Sequence, residues 1–256
     1  MRHALAALLV FLFAGSAQAE WSVDAMNQQI DQTSFVVNHN CSGTLIDKKS
    51  GYILTANHCL AGQFENVDRD EIDKDGKISK ATIRIVRPGT VSQLIFSDAN
   101  ETQRTQYVYK VKATDPDLDL GLIQVVSKLP NTIEAPIACK YPRRGDTVYA
   151  VGNPFVVLYA TVTKGIVAST DRSYRILGID GNTQDGEEQP GDNALMQITA
   201  PIEGGNSGGA AYNERGEIIG VNVRGSRINE TLAFSVPLKD IRKFLAANGV
   251  TLPECE

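Results

Sequence analysis

Apolar and polar positions alternate over many short stretches of this 256-residue chain, and that period of two predicts strands. Residues 51–55, 81–86, 105–112, 120–126, 146–151, 156–163, 194–199 and 217–223 are rich in Val, Ile, Tyr and Thr. Ile83-Arg84-Ile85 and Val108-Tyr109-Lys110-Val111 show the alternation most plainly. Clusters of Gly, Asn, Asp and Pro separate the runs and turn the chain. About a dozen strands at such short spacing read as barrels or a sandwich, not as βαβ units.

One segment carries the other period. Leu238, Ile241, Phe244 and Leu245 recur at helical spacing, with Lys239, Asp240, Arg242 and Lys243 on the opposite face. Pro237 suits a first helical turn and Asn248-Gly249 a stop, so a C-terminal helix packed on the last strands is expected. Pro130, Pro136 and Pro142 interrupt strand pairing over residues 129–142. That linker divides the chain into units of comparable size, 20–128 and 143–256, each small enough to need a shared interface. The expected class is all-β, with two barrels and a terminal helix.

The first nineteen residues stand outside this pattern. Arg2 and His3 make a short basic start, residues 4–14 an apolar run, and Ala17-Gln18-Ala19 a small-residue cleavage site. This is the three-part layout of a secretory signal over residues 1–19, and it implies a secreted or periplasmic chain beginning at Glu20. The apolar run is short for a membrane helix, and no stable membrane span is expected after cleavage. An oxidising compartment lets the four cysteines, Cys41, Cys59, Cys139 and Cys255, pair with no thiol left over.

Composition narrows the chemistry. A net charge of -5 without a Lys/Arg block argues against nucleic acid, whose binding rests on neutralising phosphates. There are three histidines, and His3 leaves with the signal. Multi-histidine zinc chemistry is therefore disfavoured, and neither metal nor cofactor is expected. His39 reads as a local hydrogen-bonding residue, which leaves His58 as the well-placed general base.

Chemistry-bearing residue types gather in three places. In Gly204-Gly205-Asn206-Ser207-Gly208-Gly209 a serine is bracketed by glycines, where the backbone turns tightly and approaches a ligand closely. Backbone N–H groups in such a turn can stabilise an oxyanion, although a plain Gly-rich hairpin has the same composition. In Ile53-Leu54-Thr55-Ala56-Asn57-His58-Cys59 an apolar strand ends at a histidine followed by a cysteine. A bridge from Cys41 to Cys59 would close a loop worth about 3 kcal/mol and fix the backbone around His58. In Asp115-Pro116-Asp117-Leu118-Asp119-Leu120 the aspartate between leucines, Asp119, needs a polar partner if buried, whereas Asp115 and Asp117 read as turn residues.

Taken together, these residues resemble the chymotrypsin-like (trypsin-like) serine peptidase superfamily, in its order of His, Asp and Ser. Cys41-Ser42-Gly43 with Ala56-Asn57-His58-Cys59 looks like the family's histidine-loop disulfide. Gly152-Asn153-Pro154-Phe155, Thr163-Lys164-Gly165-Ile166-Val167 and Ala233-Phe234-Ser235-Val236-Pro237 look closer to its bacterial Deg-type branch. The resemblance covers nearly all of the mature chain and implies two Greek-key barrels. Catalytic roles follow for Ser207 as nucleophile, His58 as general base and then acid, and Asp119 as the orienter of His58. The N–H groups of Gly205 and Ser207 would form the oxyanion hole. The disulfide likeness pairs Cys41 with Cys59 and leaves Cys139 for Cys255.

Some features depart from the family. Its activated digestive members carry Asp where this chain has Asn206, and pair it with a new N-terminal amine; an amide cannot form that ion pair. Activation by a newly cut amine is therefore not expected. Deg-type members usually add PDZ modules, which a chain ending soon after its helix is expected to lack. By resemblance the primary pocket involves Pro201, Ile202, Glu203 and Gly225. It has no aspartate at its base, so Ile202 favours a small or medium apolar side chain, although Glu203 could attract a base. Glu71, Asp73 and Asp75 imitate half of an EF-hand loop, but Thr82 stands where its last ligand belongs, and the segment reads as a solvated acidic turn. Asn40, Asn100 and Asn229 fit the glycosylation pattern, which recurs by chance. The expected function is an exported serine endopeptidase acting on protein or peptide substrates. The alternative is a catalytically silent relative that binds peptides through the same cleft.

Overall fold

The computed structural model describes residues 21–72, 74, 78–96, 102–173, 194–226 and 231–255. The signal segment, Asp73, Asp75, Asn100 and Asn229 lie outside these residues. The first half of the chain forms β1 (Ser34–Val37), β2 (Cys41–Asp47), β3 (Tyr52–Ala56), β4 (Phe64–Ile72), β5 (Ile78–Val86), β6 (Gly89–Phe96), β7 (Thr102–Asp115) and β8 (Leu120–Val125). Six of these close into an antiparallel barrel in the order β1-β2-β3-β8-β7-β6, while β4 and β5 form a separate hairpin. The second half forms β9 (Thr147–Gly152), β10 (Thr161–Ser173), β11 (Ala194–Ile198), β12 (Ala210–Tyr212), β13 (Ile218–Gly225) and β14 (Ala233–Pro237). These close in the order β10-β11-β14-β13-β12-β9. The fold is the pair of barrels that the resemblance implied.

Burial explains why the strands stay in register. Leu45, Ile53, Leu54, Leu120, Leu122 and Ile123 fill the first barrel, and Met196, Ile198, Tyr212, Ile218, Val221 and Val236 the second. β2 buries all but its last residue and β3 all but its first, because these strands also face the other barrel. A one-residue slip would move every such side chain to the wrong face. The proline-rich connection is stitched to both barrels. Ala135 N–H donates to Leu45 O at 2.8 Å, and Ile218 N–H donates to Pro136 O at 2.8 Å.

The terminal helix is α2 (Leu238–Ala247), with Leu238, Ile241, Phe244 and Leu245 buried as the periodicity predicted. A second helix, α1 (Val23–Thr33), was not anticipated. Ser22 caps it by accepting from Ala25 N–H, and Ile30 and Thr33 form its buried stripe. The segment leading into α1 packs on the second barrel although it precedes the first in sequence. Trp21 packs edge-on against Tyr149 and at a tilt against Tyr212, with ring centroids 5.8 and 5.3 Å away.

Residues 156–163 depart from the expected strand. Pro154–Val156 makes a short 3-10 turn, Phe155 and Ala160 take positive φ, and β10 begins only at Thr161. Phe155, Val157 and Leu158 are apolar but exposed, so composition alone misled. Thr82 also has a structural role: its hydroxyl donates to Asp68, its cross-strand partner in the β4–β5 hairpin, at 2.8 Å. Disulfides join Cys41 to Cys59 and Cys139 to Cys255. No helix among the described residues is long and apolar enough to cross a membrane.

Candidate active site

Strand register builds the first half of the site. β3 pairs with β8 so that Ala56, the last residue of one, lies opposite Leu120, the first of the other. The residues just beyond, Asn57-His58 and Asp119, are thereby brought together, and Asn57 N–H donates to Asp119 O at 3.1 Å. Asp119 sits at φ 55°, in the left-handed region that Asp tolerates better than most residues. Its Oδ1 accepts the His58 backbone N–H at 2.9 Å, and its Oδ2 lies 2.8 Å from His58 Nδ1. A carboxylate there holds the proton on Nδ1 and leaves the Nε2 lone pair free to accept one. The two side chains are 45% and 28% exposed, so Asp119 is less deeply buried than its leucine neighbours suggested. Asp115 has the expected turn role, accepting from Leu118 N–H at 3.0 Å.

The second half is made of backbone. Ser207 lies in the glycine-rich loop, and its carbonyl accepts from Ser42 N–H at 2.8 Å and sits 3.6 Å from Cys59 Sγ. The serine is thus seated beside the half-cystine that follows His58. Gly208 shows why glycine is required here: at φ +84°, a Cβ would meet Ser42 O at 2.2 Å. Three successive carbonyls of the loop are anchored: Gly204 O by Phe155 N–H at 2.6 Å, Gly205 O by the Ser42 hydroxyl at 2.7 Å, and Asn206 O by Gly209 N–H at 3.0 Å. Among the described residues the N–H groups of Gly205 and Ser207 have no protein partner. Asn222 braces the loop from below, accepting from Gly208 N–H and donating to Gly209 O at 2.7 and 2.8 Å. The Ser207 hydroxyl donates to Val223 O at 3.4 Å and is not bonded to His58.

Of the residues expected at the primary pocket, Ile202 and Gly225 are brought together. Ile202 is buried and Glu203 exposed, and a Cβ on Gly225 would lie 2.0 Å from Ile202 O. Pro201 is held by Thr163, whose hydroxyl donates to its carbonyl at 2.8 Å. A separate cavity of about 430 Å³ opens beside His58 and Asp119, between Leu118, Leu195, Val223 and Arg224. Burial pulls the Arg224 guanidinium below its usual pKa, and the Asp119 carboxylate acts against that shift. Sequence reasoning passed over Asn222 and Val223, met Ser42 only within the disulfide resemblance, and met Arg224 only at the end of a strand by the expected pocket. It noted Asn153 only as part of a resemblance.

The profile of the trypsin-like peptidase domain matches residues 41–221. The chain belongs to the trypsin-like peptidase family. This peptidase domain is 36% identical over 144 residues to serine protease HTRA1B of Danio rerio, a match covering 56% of the chain and 27% of that relative. It is 31% identical over 206 residues to a putative protease Do-like 14 of Arabidopsis thaliana, covering 80% and 40%. The chain therefore spans about a quarter to two fifths of the length of these curated relatives. Among solved structures, a serine endoprotease from Yersinia pestis superposes with a TM-score of 0.57 at 23% identity, covering 87% of this chain and 66% of that one. A serine-to-alanine variant of the HtrA-type protease AlgW, with tripeptide, gives 0.60 at 22% identity, covering 87% and 61%. At these identities the structural likeness is one of fold.

Proposed function

We propose that this trypsin-like peptidase domain is an exported serine endopeptidase. Ser207 Oγ attacks the scissile carbonyl while His58 Nε2 takes its proton. His58 then gives that proton to the leaving amine, and water releases the acyl group from Ser207. Asp119 keeps His58 in the productive tautomer, and the free N–H groups of Gly205 and Ser207 receive the developing oxyanion. The observation that carries this reading is the grip of both Asp119 oxygens on His58, beside a serine whose loop is held by backbone contacts.

Pro201, Ile202, Glu203 and Gly225 form the primary pocket in this reading, and the apolar Ile202 selects a small or medium apolar side chain before the cut bond. Export follows from the signal-like start and accords with the two disulfides. Close to the expected mature start, Trp21 N–H donates to Glu214 O at 2.7 Å, which ties this end of the chain to the second barrel. One observation favours the silent peptide-binding alternative: the Ser207 hydroxyl bonds to Val223 O instead of the imidazole. Catalytic hydrogen bonds are often long without substrate and tighten when it binds, so this geometry is also that of a resting hydrolase.

Labelling with a fluorophosphonate, followed by peptide mapping, tests the proposal. An adduct on Ser207 and cleavage of a peptide library after apolar residues are expected. Ser207→Ala should lower turnover by at least about ten-thousandfold. An unlabelled Ser207 in folded protein would establish the silent alternative, and cleavage after Arg or Lys would overturn the pocket assignment.

A further inference from the structure

We infer that Ser42 is a positioning residue that aims the oxyanion hole from across the barrel interface; this rests on Ser207 being the nucleophile. Ser42 belongs to β2 of the first barrel and is fully buried. Its hydroxyl makes three contacts: Asn153 N at 2.9 Å, Asn153 Nδ2 at 2.9 Å and Gly205 O at 2.7 Å. Both Asn153 atoms are N–H donors and fill the two lone pairs of the hydroxyl. The one hydroxyl proton is then directed to Gly205 O. No other assignment satisfies all three contacts.

This bond fixes the plane of the peptide joining Gly205 to Asn206. The peptides on either side are fixed by the bonds to Gly204 O and Asn206 O. A trans peptide points its N–H opposite its carbonyl. Anchoring Gly204 O and Asn206 O therefore aims the N–H groups of Gly205 and Ser207 the other way. The Ser42 hydroxyl holds the peptide between them, and so sets the angle at which the two donors converge. The backbone of Ser42 completes the clamp by donating to Ser207 O at 2.8 Å. Because β2 begins at Cys41, bridged to the Cys59 that follows His58, one strand registers the acid–base half of the site against the oxyanion half.

A positioning role differs from plain support in what it changes. Donors that converge badly weaken the transition state and leave ground-state binding alone. Removing the Ser42 hydroxyl also orphans Gly205 O and Asn153 N–H in a buried site, so some stability is lost in any case. Thr55 supplies the control. It is fully buried at the same junction; its hydroxyl packs against Gly208 but donates its hydrogen bond to Ser42 O at 2.7 Å and none to the loop, and valine keeps that packing.

The test compares Ser42→Ala, Asn153→Ala and Thr55→Val using hydrolysis of a valyl p-nitrophenyl peptide ester and the rate of fluorophosphonate labelling. Ser42→Ala is expected to lower kcat about tenfold to a hundredfold with KM within about twofold, and to slow labelling in parallel. Asn153→Ala keeps the hydroxyl but frees its direction, and should lose less. Thr55→Val should keep the wild-type kcat. A kcat for Ser42→Ala within twofold of wild type, or an equal loss in Thr55→Val, overturns the inference while wild-type labelling at Ser207 leaves the nucleophile standing. Absence of that labelling in wild type overturns both. If Ser42→Ala does not fold, Asn153→Ala and Thr55→Val decide: a loss in the first alone supports the inference, and equal losses or none overturn it.

Discussion

The two barrels contribute to the site in different currencies. The first offers side chains, an imidazole and a carboxylate that are 45% and 28% exposed and held by the register of β3 on β8. The second offers mostly main chain: a glycine-rich loop with three successive carbonyls tied down and with the N–H groups of Gly205 and Ser207 unpartnered among the described residues. Side-chain chemistry tolerates partial exposure because Asp119 restrains His58 through two bonds. Backbone chemistry has no rotamer to adjust, so the loop must be set by close packing, as Gly208 against Ser42 shows. The difference predicts that the two halves fail differently: the first loses turnover without losing its fold, and the second loses both.

The largest separation is expected from Asp119→Asn. The amide is nearly the size of the carboxylate, so the register of β3 and β8 should survive. It would hold the wrong tautomer of His58, however, and kcat should fall about ten-thousandfold. Urea midpoint and kcat measured on the same preparation check this. A loss of turnover below a hundredfold would remove Asp119 from the mechanism.

Gly208→Ala probes the other half. The added methyl meets Ser42 O at 2.2 Å and the Thr55 hydroxyl at 2.3 Å, at a φ that L-residues rarely adopt. Strain and overpacking together should cost about 3 kcal/mol, and turnover should fall with stability because the same loop carries Ser207. Stability unchanged within about 0.5 kcal/mol would show that the loop relaxes freely, and the contrast between the barrels would then be wrong.

How much could be read in advance follows the same divide. His58, Asp119 and Ser207, the residues of the proposed triad, could be nominated in advance because side-chain chemistry is written as residue type, order and spacing. The glycines around Ser207 signalled a close approach, but what they approach, Ser42 and Val151, lies far away in sequence. Ser42 entered only as the neighbour of Cys41 in the disulfide resemblance, because its contacts are to Asn153 and Gly205, which only the fold brings near. The C-terminal helix was legible from a strong apolar stripe. α1 was not, since it buries only Ile30 and Thr33. The first half of the β4–β5 hairpin was hidden for a related reason: Glu65, Asn66 and Asp68 are exposed, so β4 lacks a clean alternation.

The smallest effect should make the barrels look alike. Each buries a tyrosine almost completely: Tyr109 in the first, accepting from Asn38 Nδ2 at 2.7 Å, and Tyr212 in the second, 3.3 Å from the Thr33 hydroxyl. Burial pushes both phenols up to about 12. Below pH 10 both are neutral whether the chain is folded or not, and this contribution to stability is fully present. As pH rises from about 10 to 12 the unfolded chain ionises first, and stability is lost, by up to about 3 kcal/mol for each tyrosine. No free cysteine is available to reshuffle the disulfides in that range. Tyr109→Phe and Tyr212→Phe should each flatten the fall in urea-derived stability between pH 9.5 and 11.5, by similar amounts. An unchanged slope in one variant only would mean that its barrel opens before its tyrosine ionises, and the two barrels would then differ in stability as well as in chemistry.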